Sequence, residues 1–229
     1  GKGVNLNYIE AVNWFAKAAA QGDIDAQYYL ATCYYWGYGV YRDNATALKW
    51  FADAAQQGHA DAQFYTGYCY YDGLGTTKNL AESVNWFTKA AEQGHTESQF
   101  YLGYCYMNAL GTAQNYALAV KWFAEASDNH IESNYYLGYC YYYGKGVDRD
   151  YGSAVYYFNR AAESGNTLGQ YYLGYCYYEG RGVSRDYAEA VKWLEKAASR
   201  GHKWAQYYTG LCYYYGRGTD QNYEEAFNW

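Results

Sequence analysis

The side chains best equipped for chemistry in this chain are six cysteines, four histidines and a large population of tyrosines, and their spacing decides what each can do. Cys33, Cys69, Cys105, Cys140, Cys176 and Cys212 follow one another at intervals of 36, 36, 35, 36 and 36 residues. Thiols could ligate zinc or pair as disulfides. One cysteine per period, with no C-x-x-C, instead sets equivalent thiols about 8–10 Å apart in a stacked array, beyond the ~7 Å Cα limit for a bridge. They read as buried free thiols acting as small hydrophobes, a usage that leans toward a reducing, cytoplasmic setting. His59, His95, His130 and His202 also share one slot; positions a repeat apart do not converge on one metal, so a turn-stabilising role is expected. No Ser-His-Asp or paired-acid constellation is visible. The Gly-x-Gly pairs follow helix ends and lack the strand that a phosphate loop needs. Neither an enzyme nor a cofactor site is expected.

The same beat runs through Trp14, Trp50, Trp86, Trp122, Trp193 and Trp229, with Tyr157 in the remaining slot. A fixed period of this length marks a stacked array in which no single unit buries its own apolar face. Among 229 residues the period gives six units, about 7–42, 43–78, 79–114, 115–149, 150–185 and 186–221, and a partial helix over 222–229. Composition agrees with a packed chain: 36 Tyr, 8 Trp and 8 Phe, with 17% charged residues, is far too aromatic for disorder. A net charge of −6 without basic clusters argues against nucleic acid. No apolar run approaches a membrane span, and Gly1-Lys2-Gly3-Val4 does not open a signal peptide. Proline is absent, against an average usage of roughly 5%. The chain also opens in a loop and stops inside a helix at Trp229, as an excised or idealised stretch of a longer array would.

Each unit reads as two helices. Asn7, Asp43, Asn79, Asn115, Asp150, Asp186 and Asn222 are N-caps, whose side-chain oxygen accepts from first-turn N–H groups. Glu10, Glu82, Glu189 and Glu225 stand three residues later, as in a capping box. Apolar residues such as Ala190, Val191, Trp193, Leu194, Ala197 and Ala198 recur at helical spacing. Gly22, Gly58, Gly94, Gly165 and Gly201 close the first helix in the left-handed conformation. Asn129 takes that role in the fourth unit, whose first helix is trimmed by one residue. The second helix, Ala205–Tyr215 in the last unit, ends at a Gly-x-Gly pair, with Ala109 in place of the first glycine in the third. The fold class is all-α, an array of helix hairpins.

The motif carried by Gly169-Gln170, Leu173-Gly174, Tyr177, Gly180, Gly182-Val183, Asp186-Tyr187, Ala190-Val191, Trp193, Ala197-Ala198 and Gly201-His202 resembles the Sel-1-like repeat, a relative of the tetratricopeptide repeat. The resemblance covers essentially the whole chain. The family's usual proline after the valine slot is replaced by Tyr41, Thr77, Ala113, Asp148, Ser184 and Asp220, which costs loop rigidity. The resemblance implies a right-handed α-solenoid, with the second helix lining a concave surface. It also makes Tyr34, Tyr70, Tyr106, Tyr141, Tyr177 and Tyr213 core residues.

Projected at 100° per residue, Ala26, Leu30 and Cys33 share one side of the second helix, and Tyr28, Thr32 and Tyr35 the other. The second side is aromatic nearly throughout, and a helix apolar on both sides is either buried or binds something. The candidate ligand-binding residues are therefore Tyr68, Tyr71, Tyr104, Tyr139, Tyr142, Tyr175, Tyr178 and Tyr214. At the rim stand the variable Trp36, Asp72, Asn108, Tyr143, Glu179 and Tyr215. The Tyr28 slot is divided between the groove and packing between repeats. The function expected is a non-catalytic scaffold holding an extended peptide or protein segment in a tyrosine-lined groove. A head-to-tail fibre of this chain and carbohydrate stacking are the alternatives. Leu137, Leu173 and Trp122 are expected to hold the fold.

Overall fold

The computed structural model describes residues 7–229 and divides into two compact units, one ending at Gln114 and one running from Asn115 to Trp229. The first holds α1 (Tyr8–Ala19), α2 (Ile24–Trp36), α3 (Asn44–Gln56), α4 (Ala60–Asp72), α5 (Leu80–Glu92) and α6 (Thr96–Asn108). The second holds α7 (Tyr116–Ala126), α8 (Ile131–Tyr143), α9 (Tyr151–Glu163), α10 (Thr167–Glu179), α11 (Tyr187–Ala198), α12 (Lys203–Tyr215) and α13 (Tyr223–Asn228). No strand occurs among the described residues. The all-α, repeated-hairpin class expected from the sequence is the architecture of both units.

Inside the units, α2, α4, α8, α10 and α12 each pack between two odd helices, and α6 packs on α5. In α2, Ala26, Leu30 and Cys33 meet Val12 and Ala19 of α1, while Ala31 and Tyr35 meet Ala47, Phe51, Ala54 and Ala55 of α3. The second unit repeats this, with Tyr142 of α8 against Ala154 and Phe158 of α9. Phe51, Phe87, Phe123 and Phe158 are fully buried, and Leu137 and Leu173 are as enclosed as expected. Trp122 is only half-buried, beneath the Lys121 ammonium. The six thiols are free and buried. Burial pushes Cys69, Cys105, Cys140 and Cys176 up to about 12, so at neutral pH they are protonated, inert and part of the packing.

The odd helices start as the sequence predicts: Asp43 accepts from Ala45 and Thr46, Asn79 from Glu82, and Asp186 from Ala188 and Glu189. The capping box does not close, because the N-cap N–H is already taken. Asp43, Asn79, Asp150, Asp186 and Asn222 donate it to the carbonyls of Tyr34, Tyr70, Tyr141, Tyr177 and Tyr213. Gly22, Gly58, Gly94, Gly165 and Gly201 have the expected positive φ, but Asn129 does not. It follows α7, which is trimmed to 11 residues, and bonds Ala126 O instead.

Two features fix the loops. Ala109 ends α6 at φ 56°, keeping the left-handed turn without a glycine. The second glycine of each Gly-x-Gly lies on the first turn of its own hairpin's odd helix, as Gly182 does on Tyr151, where a Cβ would run into the Tyr151 carbonyl. A buried amide ladder ties neighbouring helices together. Gln27 and Gln63 donate to Ala19 O and Ala55 O, and accept from Gln57 (2.8 Å) and Gln93 (2.7 Å). After the shortened α7, Asn134 takes the slot and reaches Ser127 O at 2.7 Å.

The histidines do stabilise turns, and their means is helix capping. His59, His95 and His202 accept at Nδ1 from Ala62, Ser98 and Ala205 N–H, each at 3.2 Å. Asp23 and Asn166 do the same work in α2 and α10, while His130 makes no such cap. Burial holds His95 and His202 below the ordinary imidazole value.

Unfolding measurements check these assignments. Ala109→Gly should raise stability by about 1 kcal/mol, since glycine carries no Cβ penalty at positive φ. Gly182→Ala should cost about 1–3 kcal/mol through overpacking; urea unfolding reads both. Because the folded pKa values of His95 and His202 lie below the unfolded ~6.5, the unfolded chain takes up protons first. Their contribution is complete above about pH 6.5 and is lost as pH falls toward the folded values. His95→Asn combined with His202→Asn should flatten the stability profile between about pH 7 and pH 5.

Candidate functional site

Where an even helix is covered on both flanks within its unit, one stripe stays open. In α2 it runs through Asp25, Tyr29, Thr32 and Trp36, spaced i, i+4, i+7, i+11 on one helical face; Thr32 is half-buried and the other three are exposed. In the interior hairpins the slots of Tyr29 and Thr32 hold Tyr65 and Tyr68 of α4, Tyr101 and Tyr104 of α6, Tyr136 and Tyr139 of α8, and Tyr172 and Tyr175 of α10. All eight are half-buried.

The stripe is rigid from beneath. Tyr65 stacks on the buried Phe51 (4.9 Å between centroids, 10° between planes), Tyr101 on Phe87 (5.3 Å, 28°), Tyr136 on Phe123 (5.0 Å, 12°) and Tyr172 on Phe158 (4.9 Å, 16°). Within each unit the rings also touch from one hairpin to the next. Tyr68 meets Tyr101 at 5.8 Å, Tyr139 meets Tyr172 at 6.4 Å and edge-on, and Tyr175 meets Tyr208 at 5.1 Å. The flanking Tyr28 slot is partly covered by the next cap histidine: Tyr28 by His59 (4.5 Å), Phe64 by His95 (4.9 Å) and Tyr171 by His202 (4.3 Å). Burial raises the Tyr28 and Tyr171 phenols to about 12, so both keep their protons.

The eight tyrosines singled out by sequence therefore separate into three groups. Tyr68, Tyr104, Tyr139 and Tyr175 lie on the open stripe. Tyr142 and Tyr178 do not: at 4% and 7% exposure they are core, Tyr142 against Phe158 and Tyr172, Tyr178 against Tyr187 and Tyr208. Tyr71 leans the same way, toward Phe87 and Tyr101. Tyr214 occupies the equivalent slot of α12 but is exposed, and with Tyr207, Leu211, Tyr223 and Phe227 it lines a concavity of about 600 Å³ beside α13. The helical projection is centred one residue row too far toward the next odd helix, so it misses the Tyr29, Tyr65, Tyr101, Tyr136, Tyr172 and Tyr208 row. The unit-to-unit variation at Trp36, Asp72 and Tyr143, which marks solvent, is the signal that could have placed it.

The surroundings of the stripe differ in charge. In the first unit Asp25 faces the His59 ring (3.7 Å) and Asp61 the His95 ring (3.2 Å), and Asp72 bonds the Tyr68 hydroxyl, raising its pKa. In the second unit Lys145 stands 5.2 Å from the Tyr139 ring and Arg181 5.6 Å from the Tyr175 ring. No group of three or more metal-ligating side chains occurs among the described residues, and no helix among them is long and apolar enough to cross a membrane.

The Sel1 repeat model matches residues 1–23, 24–59, 60–95, 96–130, 131–166, 167–202 and 205–229. No curated protein matches the chain. Among solved structures, the chain is similar to c5321, a protective antigen of uropathogenic Escherichia coli displaying an SLR fold, at 34% identity and a TM-score of 0.90. That match covers 97% of this chain and 48% of the antigen's, so the chain spans about half of its relative's length. A Sel1 repeat protein from Oxalobacter formigenes is similar at 32% identity and a TM-score of 0.82, over 97% of this chain and 89% of the other. The C-terminal part of a TPR repeat-containing protein from Cytophaga hutchinsonii, at 19% identity and a TM-score of 0.56 over 96% of this chain and 86% of its own, shares the fold. With seven matches in register and two solved relatives above 30% identity, the chain belongs to the Sel1 repeat family.

Proposed function

We propose that this chain is a binding scaffold in which the open tyrosine stripe of a unit holds an extended peptide or protein segment. Sel1 and tetratricopeptide-like repeats generally mediate protein–protein interaction, and the finer reading names the surface. One observation carries it: Tyr68, Tyr104, Tyr139 and Tyr175 stay half-exposed while the row beside them is stacked on buried phenylalanines. Such rings offer a large contact area at low entropic cost, because their rotamers are fixed before binding, and their hydroxyls can bond a peptide backbone. Alternating apolar and polar groups along the stripe suit a strand-like segment better than a flat apolar partner.

The test separates surface from core. Tyr139→Ala with Tyr175→Ala should abolish capture of peptides selected from a displayed random library, with little change in the unfolding curve. Tyr142→Ala should instead cost about 3–5 kcal/mol, as truncation of an enclosed aromatic does. If the surface pair destabilises the chain as much as Tyr142→Ala, those rings serve packing and the scaffold has no groove. Selection of glycans in place of peptides, or concentration-dependent end-to-end assembly that the same pair of substitutions leaves intact, would replace this reading.

A further inference from the structure

The residue between the two glycines of each Gly-x-Gly loop changes character along the chain. It is Tyr38, Leu74 and Leu110 in the first unit, and Lys145, Arg181 and Arg217 in the second. The opening residue of the odd helix beneath changes with it, from Tyr8, Asn44 and Leu80 to Tyr116, Tyr151 and Tyr187. The second glycine rests on that helix's first turn, so the middle side chain is laid across the opening residue.

In the second unit this makes a repeated cation–aromatic seat. The Lys145 ammonium lies 5.0 Å from the Tyr116 ring centroid and 5.2 Å from that of Tyr139. The Arg181 guanidinium lies 5.8 Å from Tyr151 and 5.6 Å from Tyr175, and donates to the Tyr142 hydroxyl. Arg217 lies 5.6 Å from Tyr187 and donates to the Tyr178 hydroxyl at 2.6 Å. The tyrosines that proved to be core thus orient two of these cations. None of the three is ion-paired among the described residues, whereas Arg160 and Lys192 are, to Asp128 and Glu189. Glu132 faces His130 at 3.6 Å. Each seat is partly exposed and uses only part of its donor set, leaving a guanidinium edge or ammonium protons for a carboxylate.

The geometry points to an acidic segment as the occupant of the second unit's stripe: an extended peptide whose Asp or Glu side chains reach Lys145, Arg181 and Arg217 in turn. This rests on the tyrosine-stripe reading above and adds the charge and the register. Adjacent hairpins repeat at about 8–10 Å and an extended chain advances about 3.3 Å per residue, so an acid at every third residue meets successive cations. The first unit, with Leu74 and Leu110 in the slot and Asp25, Asp61, Asp72 and Glu97 along its even helices, lacks this complementarity.

The experiment uses the whole chain and a fluorescein-labelled peptide of about 12 residues with Glu at every third position, spaced by Ala-Thr. Its comparators replace every Glu with Gln, or crowd the same Glu residues at one end. Anisotropy should show the spaced Glu peptide binding about ten- to a hundredfold more tightly than the Gln peptide, as three partly exposed ion pairs allow, with the preference shrinking at high salt. Lys145→Gln, Arg181→Gln and Arg217→Gln together should bring Glu-peptide binding down to the level of the Gln peptide and so erase the preference; Arg181→Lys with Arg217→Lys, which keeps the charge, should retain most of it. Tyr139→Ala with Tyr175→Ala should weaken both peptides. Equal binding of Glu and Gln peptides, or a preference that survives the triple substitution, overturns the acidic assignment while leaving the stripe in place. No binding of any peptide overturns both. Oligouridylate binding that depends equally on the three cations would assign the row to phosphate, and the peptide inference would fall.

Discussion

The dependence of an even helix on odd neighbours at both flanks is the constraint from which the rest follows. α2 cannot bury Ala26, Leu30 and Cys33 on one flank and Ala31 and Tyr35 on the other without both α1 and α3. A single hairpin supplies only one of those walls, which is why such repeats are stable only as stacks. With two flanks consumed, the even helix has one stripe left for solvent. Whatever this surface recognises must be read by about four side chains per helix, multiplied by repetition.

Much of this was legible in the sequence because it is local. N-cap oxygens, left-handed glycines and a cysteine on each small-residue flank depend on neighbours within a turn or two, and they appear where the spacing put them. Most of the misplacements share a different cause: they needed knowledge of the adjacent repeat. Tyr142 and Tyr178 look like surface aromatics until Phe158 and Tyr187 are set beside them. The Asn79 N–H looks available to a capping box with Glu82 until the Tyr70 carbonyl arrives. Asn129 looks like a glycine substitute, but the missing residue before it lets α7 end by an ordinary bond to Ala126. Periodicity tells which residues are equivalent, and not which flank the next copy will cover.

The repeats are alike in their apolar parts and individual in their polar ones. The thiol does not vary and the phenylalanine under the stripe gives way only to Leu194, whereas the cap slot passes through Asp23, His59, Asn166 and His202, and the inter-glycine slot through leucine to arginine. The amide ladder shows how tightly these choices are linked. Where α7 loses a residue, glutamine becomes Asn134, and the bond to the helix end survives at 2.7 Å. Its carbonyl oxygen is left without a partner, because Ser164 stands where Gln57 and Gln93 would donate. A one-residue deletion is thus absorbed within a single repeat, and the unfulfilled acceptor comes from the serine in the next.

The enclosed thiols have a practical corollary. Every hairpin carries one sulfhydryl that is buried and held protonated, so a thiol-alkylating reagent added to the folded chain meets no accessible thiolate. Modification must await a local opening, and each sulfur becomes a clock for its own repeat. Mass spectrometry of partially labelled chains would then rank the hairpins by how often they breathe, giving a map of cooperativity along the array without introducing a single probe.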